Sequence, residues 1–185
     1  SWQQLFWILA ALTMSIGNIS ALMQSNVKRM LAFSSVSHAG YLVLGVLVFN
    51  IDGVSAVLFY LAVYSAMNLG AFSIISIVER EDKGTRFTDY RGFSDNHPWL
   101  AILMCLFMIS LAGLPPTAGF IGKFYILAEL FKNQQFYWLA IVAILNSVIS
   151  LYYYFSIVKS MYFVDTDDDV DPIDAHPVIK WSIII

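Results

Sequence analysis

The sequence predicts an all-α, polytopic transmembrane helix bundle of five spans with the start of a sixth. Three observations predict it. The first is composition: 59% of the 185 residues are hydrophobic and 12% charged, with a mean hydropathy of +0.71. Soluble domains are nearer about 45–50% apolar and about 25% charged. The second is charge placement. Asp, Glu, Lys and Arg are absent from 1–27, 30–51, 53–78, 96–122 and 133–158, and each run exceeds the roughly 20 residues that a spanning helix needs. The third is a pair of adjacent prolines after Gly113, which marks one helix as broken. These features exclude a soluble enzyme, a secreted disulfide scaffold and a nucleic-acid binder. Cys105 is the only cysteine, so no disulfide framework or cysteine-ligated cluster is expected.

The spans are read as helices because lipid offers the backbone no hydrogen-bond partners. Segment A covers roughly 3–24, B 29–50, C 53–79, D 97–131 and E 135–162. Together they form a five-helix unit over 1–162. Ser25 and Asn26 supply capping chemistry for segment B. Asn50-Ile51-Asp52-Gly53 signals the turn from B to C. Residues 79–96 read as a polar, solvated loop of mixed charge. An acidic loop follows over 163–177, and 178–185 begins a further apolar run. The chain opens at Ser1 and closes on Trp181-Ser182-Ile183-Ile184-Ile185, so it reads as part of a longer membrane protein. Lys28, Arg29, Arg80, Lys83, Arg86 and Arg91 fall in the A–B and C–D connections, against Lys132 opposite, which places loops 24–29 and 79–96 in the cytoplasm.

Segment D is too long for a straight span. Over 96–128 its one charge is Lys123. A straight helix of that length would run about 50 Å, against a hydrocarbon core of about 30 Å. Gly113-Leu114-Pro115-Pro116-Thr117-Ala118-Gly119 interrupts it: the prolines remove two backbone donors and disfavour helix before each ring. Two short spans joined by a turn is one reading. One span made of two half-helices is preferred, because the break carries no charge and each half is short for a span.

Lys123 is the sharpest functional candidate, since an ionisable group inside a membrane is costly. A nearby break frees backbone carbonyls and admits water. His38 is the second, with Ser34 and Tyr41 on the same helix face, and histidine passes protons between its two nitrogens. Tyr60, Tyr64 and Asn68 recur every four residues on segment C, as Asn146, Ser150 and Tyr154 do on segment E. Such stripes hold water chains or pack helices together. Glu129 and Lys132 have i,i+3 spacing and either pair at the interface or extend a proton path, and Lys28 either anchors a helix end or does the same. No metal-ligand spacing, phosphate loop or nucleophile elbow is present.

Gln24-Ser25-Asn26-Val27-Lys28-Arg29-Met30-Leu31-Ala32-Phe33-Ser34-Ser35-Val36-Ser37-His38-Ala39-Gly40-Tyr41 resembles the signature of the antiporter-like membrane subunits of respiratory complex I. Ser110-Leu111-Ala112-Gly113-Leu114-Pro115-Pro116-Thr117-Ala118-Gly119-Phe120-Ile121-Gly122-Lys123-Phe124 resembles that family's broken helix with its central charge. Within the family, Tyr60-Leu61-Ala62-Val63-Tyr64-Ser65-Ala66-Met67-Asn68-Leu69-Gly70-Ala71-Phe72 is most similar to the N type of subunit. The resemblance covers about 1–165. It implies two inverted five-helix repeats, of which segments A–E are the second. It implies Lys123 as terminal proton carrier and His38 on the central polar axis. No cofactor is then expected on this chain: NADH, FMN, iron–sulfur clusters and quinone belong to other subunits. Neighbouring antiporter-like subunits, lipid, protons and internal water are the implied partners, and the bacterial inner membrane the location. The D-type subunit of a multisubunit sodium/proton antiporter, which shares the broken-helix lysine, is the alternative.

Overall fold

The computed structural model describes residues 2–48, 50–80, 84–132 and 136–164. Lys83 and, from residue 165 on, the expected acidic loop and final apolar run lie outside the described residues. Among the described residues every regular element is a helix, apart from one isolated β-bridge. Four helices are long and apolar enough to cross a membrane: α1 (Trp2–Leu22), α2 (Val27–Leu47), α3 (Ile51–Arg80) and α7 (Tyr137–Phe163). Between α3 and α7 stand a short α4 (Phe93–Asn96) and two half-length helices, α5 (Pro98–Ala112) and α6 (Ala118–Phe131).

The sequence signals set these boundaries. Asn26 caps α2, its side chain accepting from the Arg29 N–H at 3.0 Å. Asn50 holds the start of α3 by accepting from the Gly53 N–H at 2.5 Å. Pro98 sits in the first turn of α5, where its missing donor costs nothing. α1 and α2 approach closely because Gly17 and Gly40 carry no side chain: a Cβ would lie 2.6 Å from the Ser37 nitrogen or 2.9 Å from the Met14 nitrogen.

α5 and α6 run in order along α3, so segment D is one broken rod. Phe107 of α5 fills the space beside Gly70, in the second half of α3. Tyr60, in the first half, fills the space beside Gly122 of α6. At the far end Lys132, next to α6, reaches Asp52 at 3.8 Å. The core divides the same way. One cluster joins Met30, Met67, Ile75, Met104 and Ile157 around the loop end of the bundle. The other joins Met14, Leu44, Ile126, Leu130 and Leu139 around the opposite end.

The expectation of a solvated loop over 79–96 needs correction. α3 continues to Arg80, and 84–97 folds into a short 3-10 turn (Phe87–Tyr90) and α4. Tyr90 and Phe93 are buried against the bundle. Burial, with Glu79 and Asp89 adding, pushes the Tyr90 phenol above its usual range, so it stays neutral. This stretch ties three segments together. Val27 donates to Thr85 O at 2.8 Å and Phe87 to Ser25 O at 3.2 Å. Asn26 Nδ2 donates to Thr85 Oγ1 at 2.6 Å, and Ser94 Oγ to Met161 O at 2.8 Å. Asn26→Ala is therefore expected to cost about 1–2 kcal/mol, from the lost cap and the lost Thr85 bond, read as a lower thermal midpoint in detergent.

Candidate functional site

At the break in segment D the last four carbonyls of α5 all find donors. A helix C-terminus leaves four carbonyls without helical partners. Here Gly113 N–H donates to Ile109 O at 3.2 Å and Ser110 O at 3.0 Å, and Leu114 N–H to Ile109 O at 3.2 Å. The remaining two belong to Leu111 and Ala112. Both accept from Lys123 Nζ, at 3.0 and 3.1 Å. Gly113 turns the chain with φ 84°, a left-handed conformation natural to glycine. Pro115 and Pro116 have no N–H to satisfy. Thr117 caps α6, accepting from Phe120 N–H at 3.4 Å, and Gly119 N–H donates to Ser110 Oγ at 3.1 Å.

Lys123 is 4% exposed. Its third donor goes to Ser147 Oγ of α7 at 3.3 Å. The Tyr41 ring faces the ammonium, 5.1 Å from ring centroid to Nζ, a cation–π arrangement. All of these partners are uncharged. The negative end of the α5 dipole supplies the balancing field. No carboxylate forms an ion pair with Lys123 among the described residues.

His38 lies in the middle of α2 and is buried. Its Nδ1 lies 2.5 Å from the Tyr60 hydroxyl of α3, and its Nε2 lies 3.0 Å from the Tyr154 hydroxyl of α7. A neutral imidazole donates through one nitrogen and accepts through the other. One tyrosine therefore donates while the other accepts, and a change of tautomer reverses both. Tyr64 lies against the His38 ring, with centroids 4.8 Å apart. Tyr41, one turn along α2 from His38, donates to Ala143 O at 2.6 Å. Tyr41 thus stands between the histidine cluster and the lysine.

Of the other candidates, Ser34 is buried one turn before His38, its hydroxyl donating to Leu31 O at 2.8 Å. Asn68 continues the α3 stripe, its Oδ1 buried with no donor among the described residues. Asn146 accepts from Asn18 Nδ2 at 2.9 Å, and Tyr153 donates to Asn18 Oδ1 at 2.8 Å. Lys28 and Glu129 are not brought to this centre. Lys28 pairs with Glu79 at 2.8 Å at the loop end. Glu129 pairs with Lys132 at 2.5 Å at the opposite end. Sequence reasoning missed Asn18, Ser147 and Tyr153. The available signal was a lone amide well inside α1 and hydroxyls spaced with Asn146 and Ser150 on α7.

A family model described as NADH:quinone oxidoreductase/Mrp antiporter, transmembrane, matches residues 1–150. The chain is 44% identical over its whole length to NADH-quinone oxidoreductase subunit N of Trichlorobacter lovleyi, covering 38% of it. It is 48% identical over 96% of its length to NADH-quinone oxidoreductase subunit N 2 of Sorangium cellulosum, covering 36%. Among solved structures it is similar to a chain of respiratory complex I from Thermus thermophilus with bound NADH. The TM-score there is 0.81 at 27% identity, over 97% of this chain and 38% of that one. A chain of the Mrp complex from Dietzia sp. DQ12-45-1b gives 0.83 at 26% identity, over 95% of this chain and 32% of that one. The chain therefore spans less than two fifths of the length of these curated relatives. It is an integral membrane protein of helices, and it belongs to the NADH:quinone oxidoreductase/Mrp antiporter transmembrane family.

Proposed function

We propose that this chain forms a proton-carrying five-helix unit of an N-type membrane subunit of NADH:quinone oxidoreductase. Residues 1–162 would be that unit, with the loop end formed by 23–26 and 84–97 facing the cytoplasm. The observation that carries the reading is Lys123: a buried ammonium whose partners among the described residues are backbone carbonyls, a hydroxyl and a ring. Among the described residues no acidic partner holds its proton in place. Lys123 releases its proton to water when charge elsewhere in the complex changes. It is reloaded from the His38 side, where the imidazole exchanges protons between Tyr60 and Tyr154. Internal water bridges the steps, with Asn68 Oδ1 as one acceptor for it. Redox chemistry, and the NADH, FMN, clusters and quinone it needs, belongs to other subunits.

Membrane vesicles containing the complete complex test this. His38→Phe keeps a planar ring and removes both nitrogens. Proton uptake per NADH oxidised is expected to fall at least about tenfold, a conservative figure beside the roughly hundredfold or more that a general acid–base group contributes. Unchanged uptake in an assembled complex overturns the relay. The fit to the Mrp complex favours one second reading, a subunit of a multisubunit sodium/proton antiporter. Sodium-dependent proton movement without NADH would select it.

A further inference from the structure

At the end of the bundle opposite the loops, a recess of about 390 Å³ opens between the first turns of α3 and the last turns of α6. Asp52, Ser55, Phe59, Tyr125, Glu129 and Lys132 line it. Its base is a row of alternating charge. Lys132 Nζ lies 2.5 Å from Glu129 Oε1 and 3.8 Å from Asp52 Oδ2. Glu129 is fixed: its side chain is 9% exposed and its other oxygen accepts from Asn50 Nδ2 at 3.1 Å. Asp52 and Lys132 are open, with side chains 73% and 62% exposed. The hydrogen bond that Lys132 donates to the Glu129 carboxylate holds the amine above its usual range, so it stays charged.

The walls are apolar. The Phe59 and Tyr125 rings stand 5.8 Å apart. Exposed Leu58, Ile121 and Phe124 carry an apolar track from there toward the middle of the bundle. Trp7 and Trp138 meet edge to face at this same end, with centroids 5.0 Å apart, and Tyr137 follows α6. Tryptophan and tyrosine collect at the level of lipid headgroups.

We propose that this recess binds a zwitterionic phospholipid whose headgroup ends in a primary ammonium, a phosphatidylethanolamine. Two carboxylates face one lysine, so the base carries a net negative charge and disfavours an anionic headgroup. The lipid ammonium donates hydrogen bonds to Asp52, the phosphate lies against the open side of Lys132, and the acyl chains follow the Phe59–Tyr125 track. Phosphatidylcholine fits less well because its quaternary ammonium has no N–H to donate. The proposal does not depend on proton transfer through Lys123.

The test uses the complete complex that contains this chain. Detergent-washed complex is placed in phosphatidylcholine nanodiscs with equal minor amounts of phosphatidylethanolamine and phosphatidylglycerol, and retained lipid is measured by mass spectrometry. Phosphatidylethanolamine is expected to be retained in preference to both others. Asp52→Asn, at an exposed position, is expected to lower that preference roughly two- to fivefold, the range for losing one exposed charge contact. A photo-crosslinking residue at Phe59 should capture lipid. Equal retention of the three lipids, a preference that Asp52→Asn leaves unchanged, or a crosslink to a neighbouring protein instead of lipid each overturns the proposal.

Discussion

In the complete complex, Lys123→Met is expected to cut proton translocation per NADH by at least about tenfold while assembly persists. Methionine keeps the length and apolar bulk of the side chain, so packing beside Gly113 and Tyr41 changes little. It carries no proton. It also strips the Leu111 carbonyl of its donor and leaves the Ala112 carbonyl with Ser147 Oγ at 3.3 Å. A buried group left unpaired costs about 1–3 kcal/mol, offset in part because no charge is then buried. Lys123→Arg separates the two roles. Arginine supplies donors to the same carbonyls but does not release a proton in proteins. Proton movement is expected to fail in both variants, whereas the thermal midpoint should drop further in methionine than in arginine. Normal pumping stoichiometry in either variant would sink the assignment of Lys123 as a carrier.

The largest structural effect is expected from Gly119→Ala. A Cβ there would lie 1.9 Å from Ser110 O and 2.8 Å from Ser110 C. Both are backbone atoms of α5, so no side chain can move aside, and the half-helices must separate. Overpacking typically costs about 1–3 kcal/mol, and this contact sits at or above the upper end. Lys123 lies one turn beyond Gly119 and would be drawn away from its carbonyls. Gly113→Ala should be milder. Its φ of 84° carries a left-handed penalty of about 1–2 kcal/mol, and the nearest atom to a Cβ is Cδ of the flexible Lys123, at 2.9 Å. Thermal midpoints and pumping measured on the same preparations should rank wild type, then Gly113→Ala, then Gly119→Ala. The reverse order would refute the tight contact at Ser110.

The backbone plan was legible because membrane helices announce themselves through one-dimensional properties. Charge-free runs marked every long helix to within a few residues, Asn26 marked a cap, and Pro115 and Pro116 marked the break. The reach of Lys123 and His38 was not legible. The Leu111 and Ala112 oxygens lack helical donors because Pro115 and Pro116, four residues on, bring no N–H; that Lys123 turns back to them depends on how the break folds. Which tyrosines flank His38 depends on the rotation of α3 and α7 about their axes, which a sequence stripe narrows without choosing. Tyr90 and Phe93 were hidden by their neighbours: charged residues on either side made a packed segment read as solvated. Lys28 and Glu129 had the composition of proton carriers, but their helix positions put them at opposite ends of the bundle, each beside an ion-pair partner.

The carbonyl cradle around Lys123 has a consequence for how such a site responds. A lysine facing a carboxylate shares its charge with a partner that can itself take up the proton, so the pair can fall silent as a neutral couple. Peptide oxygens have no such option. Nor can a point substitution delete them, since every residue type brings the same carbonyl. What can vary is the spacing between the end of α5 and the start of α6, which decides how closely the amine sits on those oxygens. If the chain carries protons as proposed, the break between the half-helices would be a mechanical input, through which a displacement in a neighbouring subunit would become a change in charge.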